Sequence, residues 1–269
     1  MGDLESLQRH LLDLGRVLLG YSGGVDSALL AVVSRQALGT ERFLAVIGRS
    51  PSYPESQWRD AIDVARRFDL PLLEVETREL ADPRYRANPT NRCFFCKSEL
   101  WSRLEEVARD RGFDSIIDGT NADDLLEHRP GLLAAEQRGI RSPLAALGWT
   151  KAKIRALSHQ LGLPTWDAPA APCLSSRVQY GLEITPRRLR QIEQGEAYLR
   201  SLGVTGDLRV RHHGAKARVE VVPGEMERLG AHWDLVTARF RVLGFDEVVL
   251  DPAGYHRGGL LTLAPSPPA

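Results

Sequence analysis

Along the first 160 residues, short continuous apolar runs alternate with stretches of helical spacing. Residues 4–14 carry an amphipathic helical pattern. Arg16–Tyr21 reads as a strand, and Ala28-Leu29-Leu30-Ala31-Val32-Val33 opens a helix. Phe43–Ile47, Leu72–Val75 and Ser115–Asp118 are further strand runs. Between them, Pro54–Phe68 places Trp58, Ile62, Ala65 and Phe68 at helical spacing, and a long helical pattern covers about Arg92–Asp110. Helices over Gly131–Gln137 and Lys151–Leu161 complete the series. This alternation predicts an α/β fold, a doubly wound and mostly parallel sheet with helices on both faces. Ligands in such sheets sit at the carboxyl ends of strands, which is where Ser22, Arg49 and Asn121 would lie.

The pattern changes after Gly181. Thr185–Leu202 is helical, with Thr185-Pro186 as N-cap and first turn. Leu208–His212 alternates like a strand, His213–Lys216 turns the chain, and Ala217–Val222 is a second strand. One helix over Pro223–Leu243 and a strand over Glu247–Leu250 follow. The expected organisation is an α/β domain over residues 1–180 and a smaller α+β domain over 181–257. A Gly/Pro/Ser-rich tail over 258–269 is expected to be disordered.

Between the first strand and its helix lies Tyr21-Ser22-Gly23-Gly24-Val25-Asp26-Ser27. Adjacent glycines allow a tight turn and close approach of backbone N–H groups to an anion. The helix behind adds its positive end, and Ser22 and Ser27 add hydroxyl donors. The lysine of a Walker A loop is missing. The stretch resembles the SGGxDS pyrophosphate loop of the PP-loop ATP pyrophosphatases. That resemblance implies cleavage of ATP between its α and β phosphates, with Ser22, Gly23, Gly24, Asp26 and Ser27 on the nucleotide.

Lys+Arg and Asp+Glu both number 35, so the formal charge is zero. A protein gripping long nucleic acid through phosphates usually carries a basic excess, and the balance argues against that partner. Lysine stands only at positions 97, 151, 153 and 216, a bias read as base composition without functional meaning. No apolar stretch reaches membrane-spanning length, and the acidic start Met1–Glu5 lacks a signal-peptide pattern. A cytoplasmic protein is expected. In a reducing compartment, three cysteines point to metal or catalytic work rather than disulfides.

Cys93 and Cys96 stand one turn apart on a predicted helix and share a face, while Cys173 lies in the loop Pro172–Arg177. Three thiolates suit three corners of an iron–sulfur cluster with one iron open. A redox dithiol, a zinc site and three unrelated cysteines are the alternatives, and no histidine lies near either segment. Asp118–Asp124 ends a strand with acidic residues. Asp123 or Asp124 suits Mg²⁺ beside phosphates, or simply decorates a helix start. Arg129 suits a phosphate or a surface acid. Arg209 and Arg211 share one face of a strand, as a fork for phosphate or carboxylate or as a solvated face. Arg177 is a similar case, and Arg218 and Glu220 belong to the same site or pair across strands.

Together, Ser22–Ser27, Asn91–Lys97, Asp118–Asp124 with Arg129-Pro130-Gly131, and Pro172–Arg177 resemble the LarE family. The likeness continues through Ile184-Thr185-Pro186, Arg209–Gly214 and Val248–Gly254. These are ATP-dependent pyridinium-3,5-biscarboxylic acid mononucleotide sulfurtransferases of nickel-pincer cofactor synthesis. The resemblance implies ATP and Mg²⁺ as cofactors, adenylation of a pyridinium carboxylate, and replacement of its oxygen by sulfur. It implies nucleotide contacts from Asn121 and Arg129, substrate contacts from Arg177, Arg209 and Arg211, and Asp124 as a Mg²⁺ ligand. Some members donate the sulfur of one cysteine, matching Cys173. Others have three, matching Cys93, Cys96 and Cys173, which hold a [4Fe–4S] cluster with a replaceable sulfide. A small pyridinium nucleotide partner, an unidentified sulfur donor, no nucleic acid, no membrane and a homo-oligomer are implied. Gly254–Gly259 departs from the family's usual Tyr-Arg-Ser-Gly-like ending. The rival readings are a PP-loop tRNA thiolase, an amide-forming synthetase of the NAD-synthase sort, and an ATP- or metal-sensing module.

Overall fold

The computed structural model describes residues 2–126, 130–169 and 171–256. The chain divides into two compact units. Residues 1–79 and 91–171 form the first. The second takes Leu80–Thr90 together with the chain from Pro172 onward, so it is discontinuous in sequence. A single boundary after residue 180 had been expected. The expected tail over 258–269 lies outside the described residues.

The first unit runs α1 (Asp3–Asp13), β1 (Val17–Gly20), α2 (Val25–Leu38), β2 (Phe43–Arg49), α3 (Glu55–Arg67) and β3 (Leu72–Glu76). A short α4 (Pro83–Arg86) then belongs to the second unit. The first unit resumes with α5 (Arg92–Arg111), β4 (Ser115–Ile117), α6 (Pro130–Glu136), α7 (Pro143–Ala146) and α8 (Lys151–Gln160). The four strands pair in parallel in the order β3-β2-β1-β4.

Strand side chains alternate between faces, and each face has its own core. Val17, Leu19, Phe43, Ala45 and Ile47 pack with α1, α2, α3 and α8. Leu18, Leu44 and Val46 face Trp101, Leu104 and Ala108 of α5 and Ala134 and Ala135 of α6. Helices therefore cover both faces, as a strand buried on both sides requires. The chain leaves β1 for β2 on one side, and β4 joins β1 on the other. The carboxyl ends of β1 and β4 thus flank the point where strand order reverses, the favoured ligand position in open parallel sheets.

The second unit continues with α9 (Pro186–Ser201), β5 (Leu208–His213), β6 (Lys216–Val221), α10 (Met226–Ala231), α11 (Trp233–Val242) and β7 (Glu247–Leu250). Thr185 caps α9 by accepting from the Arg188 N–H. β5 and β6 form an antiparallel hairpin, and β7 adds parallel to β6. The single helix expected over Pro223–Leu243 is a 3₁₀ turn followed by two helices that break at His232. Gly230 weakens the helix there, and the His232 ring approaches the Arg228 carbonyl at 3.0 Å, competing with the backbone ladder.

One face of this sheet is apolar. Val210 packs on Gly195 of α9, where an added Cβ would meet the Phe240 ring at 3.0 Å. His212 shares this side, buried against Phe245 and bonded through Nε2 to the Gln191 amide oxygen at 3.1 Å. Its Nδ1 is buried without a hydrogen-bond partner. Burial, then the charges of Arg188, His213 and Arg187, hold its pKa down at about 4. Because the folded value lies below the ordinary one, neutral His212 contributes stability above about pH 6.5, and that stability drains away as pH falls toward 4. The loss at pH 4 is about 3 kcal/mol, from 1.36 kcal/mol per pKa unit. Urea denaturation of wild type and His212→Gln at pH 7.5, 5.5 and 4.5 measures this, with the difference between the two proteins shrinking as the pH is lowered.

Candidate functional site

The turn after β1 is shaped by steric necessity. Gly23 lies at φ +69°, and a Cβ there would come within 2.4 Å of Ala61 Cβ. Gly24 is the N-cap of α2 and offers no side chain to the first-turn N–H groups. Those donors are left for a ligand. Ser22 and Ser27 close the turn: Ser27 Oγ accepts from the Ser22 N–H at 3.2 Å, lies 3.0 Å from Ser22 Oγ, and donates to the Gly24 carbonyl at 3.1 Å. Tyr53 pins the turn from outside by donating to the Ser22 carbonyl at 2.8 Å. Burial, with the neighbouring Asp60 carboxylate second, pushes the Tyr53 phenol well above its usual pKa, so it remains a donor.

The carboxyl end of β4 packs directly on this turn. A Cβ on Gly119 would meet the Ser27 backbone at 3.0 Å. Asp118 accepts from Thr120 and from Ser142 Oγ, which fixes the bend. Asn121 is fully buried and joins two carboxylates. Its side-chain amide donates to Asp26 at 3.2 Å, and its backbone N–H donates to Asp124 at 3.1 Å. Lys151, from the start of α8, donates to both Asp26 oxygens at 2.7 and 2.5 Å. An ammonium seated on this carboxylate shows that the donor set accepts a cation. Asp26 and Asp124, hard oxygen donors, suit Mg²⁺.

A cavity of about 410 Å³ opens here, lined by Ser22, Asp26, Ser27, Gly119, Thr120 and Asp124 and also by Cys93, Lys97 and Trp101. Cys93 sits in the first turn of α5 and is exposed, whereas Cys96, one turn on, is half-buried. The loop and the first cysteine therefore share one cavity within one unit. Arg129 lies outside the described residues.

Cys173 belongs to the second unit, at the start of a 3₁₀ turn over Leu174–Arg177. Arg177 is buried and grips Glu196 through Nε and Nη2 at 3.0 and 3.2 Å. Its Nη1 donates to the Pro172 carbonyl and to the Cys173 carbonyl, the latter at 2.8 Å. Arg177 thus holds the backbone of the cysteine loop. Arg209 and Arg211 do share a strand face, but that face is buried and not solvated, at 6% and 5% exposure. Arg211 is tied to Glu220 at 2.9 Å and donates to the Ser176 carbonyl at 3.1 Å. Arg218, opposite on β6, pairs with the same Glu220 at 2.7 Å and with Asp251 at 3.3 Å. Arg209 lies 5.0 Å from the Tyr255 ring centre. Burial, then the charge of Arg177, lowers the Arg209 pKa. The cysteine loop and the arginine face are therefore joined in one hydrogen-bonded cluster within the second unit.

Among the described residues, no group of three or more His, Cys, Asp or Glu side chains is arranged to hold a metal ion. Cys93 and Cys96 lie in the first unit and Cys173 in the second. Lys151, Lys97, Glu196 and the clamping role of Glu220 were not anticipated. The rarity of lysine was the available signal: two of the four lysine positions meet at the nucleotide turn. No helix among the described residues is long and apolar enough to cross a membrane.

The uncapped glycine turn at the end of β1 and the parallel sheet around it define the PP-loop class of ATP-using α/β proteins. The NAD synthase family matches residues 8–103. An uncharacterized protein of Synechocystis sp. is 44% identical over 259 residues, covering 96% of each chain. The pyridinium-3,5-bisthiocarboxylic acid mononucleotide synthase of Lactiplantibacillus plantarum is 32% identical over 253 residues, covering 94% of this chain and 91% of that protein. A glutamine-hydrolysing GMP synthase of Aeropyrum pernix is 26% identical over 223 residues, with 41% of that protein covered. The chain belongs to the LarE family of sulfurtransferases.

Gly23→Ala tests the turn. The clash with Ala61 and the left-handed φ cost about 2 kcal/mol or more of stability. ATP affinity falls at least tenfold in equilibrium dialysis, and an unchanged affinity would show that the turn does not carry the nucleotide.

Proposed function

We propose that the protein uses ATP to replace carboxylate oxygen by sulfur on pyridinium-3,5-biscarboxylic acid mononucleotide. The observation that carries this reading is the shared cavity, in which a nucleotide turn and Cys93 line the same space. The Lactiplantibacillus relative, named for the bisthiocarboxylic product, supports the substrate class.

A carboxylate does not exchange its oxygen directly, because the leaving group would be oxide. In the first step a carboxylate oxygen attacks the α-phosphorus of ATP, the bond to the bridging oxygen breaks, and pyrophosphate leaves. The first-turn N–H groups of α2 and the Ser22 and Ser27 hydroxyls bind the departing pyrophosphate and stabilise its charge. Asp26 and Asp124, held together by Asn121, would hold Mg²⁺, which neutralises phosphate charge when bound. In the second step a sulfur nucleophile forms a bond to the carbonyl carbon, and the C–O bond to AMP breaks. AMP leaves with that bonding pair.

Cys93, Cys96 and Cys173 would hold a [4Fe–4S] cluster, whose donor requirement of three thiolates they fit in number and type. Bound there, the cluster supplies a replaceable sulfide and permits repeated turnover. Without it, Cys173 would itself be the nucleophile, and later C–S cleavage would consume the protein. In the second unit, Arg209 suits the substrate phosphate, since its buried guanidinium is complementary in charge to a dianion. Glu220 holds Arg211 and Arg218 in place behind it.

Anaerobically purified protein with ATP, Mg²⁺ and the pyridinium dicarboxylate should release AMP and pyrophosphate and form thiocarboxylate, detected by mass spectrometry. Cys173→Ala should abolish the product. Iron and sulfide analysis should find a cluster. Iron-free protein that turns over repeatedly would refute the cluster, and thiolation of tRNA instead of the pyridinium acid would refute the substrate.

A further inference from the structure

We propose that Lys151 is the resident counter-ion of the nucleotide site, a positioning residue whose ammonium holds the place of a divalent cation on Asp26. This rests on reading the cavity as the site of ATP with Mg²⁺.

The geometry is specific. Both Asp26 oxygens accept from Nζ, across 125 positions of sequence. The lysine is delivered by fixed backbone. Its own N–H donates to Asp123 Oδ2 at 2.7 Å, Thr150 caps α8 by accepting from Lys153, and the Ala122 N–H donates to the Trp149 carbonyl at 2.9 Å. These contacts tie the start of α8 to the acidic segment after β4.

Lys151 is also electrostatically misplaced with respect to its own helix. The first turn of α8 contains no acid, and a cation there opposes the helix dipole. Asp26 is what offsets this. Without the ammonium, Asp26 and Asp124 would bring two negative charges, joined through Asn121, to the wall of a cavity meant for phosphates. The residue type fits as well. In a chain whose basic residues are almost all arginine, a lysine stands here. Its compact point charge on a flexible stem resembles a small cation and can swing away, whereas a guanidinium fork would bind the carboxylate rigidly. Lys151 therefore holds the Asp26 carboxylate in place, competes with free divalent cation, and withdraws when the metal–nucleotide complex arrives.

Manganese binding to nucleotide-free protein, followed by electron paramagnetic resonance, tests this. Lys151→Gln retains the backbone bond to Asp123 and should bind Mn²⁺ about tenfold more tightly than wild type, because a charge-assisted competitor is gone. Lys151→Arg should bind Mn²⁺ no more tightly than wild type, since the positive charge is retained and its fork holds the carboxylate more rigidly. Asp26→Asn should remove the Mn²⁺ signal. Wild-type Mn²⁺ affinity in Lys151→Gln would overturn the role of Lys151. Binding of ATP with Mg²⁺ to wild type, measured in the same series, separates the two readings. If wild type binds and Lys151→Gln shows no gain, only the counter-ion role fails. If wild type does not bind, the functional reading fails with it.

Discussion

The N–H groups in the first turn of α2 have no side-chain cap, and much of the first unit keeps them that way. An N-cap serine or aspartate would satisfy them internally and cost the helix its value as an anion site. Gly24 stands there instead. Gly23 must then be left-handed and must lie against Ala61 with no room for a Cβ. Gly119 allows the end of β4 to touch the Ser27 backbone, which brings Asn121 to Asp26. Each of these is a close approach of backbone to backbone or side chain, and each puts a functional group at the rim of one cavity.

The second unit meets a different constraint. A small sheet ordinarily buries one face and wets the other. Here the second face carries Arg209 and Arg211, both buried, beside the partly exposed Arg218, so its charges need partners within the fold. Glu220, fully buried, answers two of them at once, and Glu196 fixes Arg177. The same Glu196 accepts from the Val210 N–H at 3.1 Å, which ties α9 to β5 as well as to the cysteine loop. Losing either glutamate would leave buried guanidinium charge uncompensated, a far larger penalty than breaking a surface pair. Structural necessity and the proposed anion recognition thus draw on the same residues.

Much of this was legible in the residues themselves. Strand runs, helical spacing and the order of elements follow from local periodicity, because a strand or helix face repeats every few residues whatever it later packs against. The glycine turn was legible for the same reason, since its steric demand is local. The helix over Pro223–Leu243 was read too long because a break at Gly230 and His232 changes the apolar spacing little.

Other features were decided only by tertiary structure. Beyond the rarity of lysine, Lys151 carried no sign of its role, since its partner Asp26 is distant in sequence and only the packing of α8 against α2 brings them together. Arg209 and Arg211 have the alternation of a wetted strand, and what covers the face determines whether they are solvated or buried. Leu80–Thr90 packs with the second unit because Asn88 donates to the carbonyls of Val178, Gln179 and Leu182. The sequence by itself determined the nucleotide turn, the parallel sheet and the three thiols. Which charges pair and which faces are dry was settled by contacts between residues far apart in the chain, and local pattern carries no record of those.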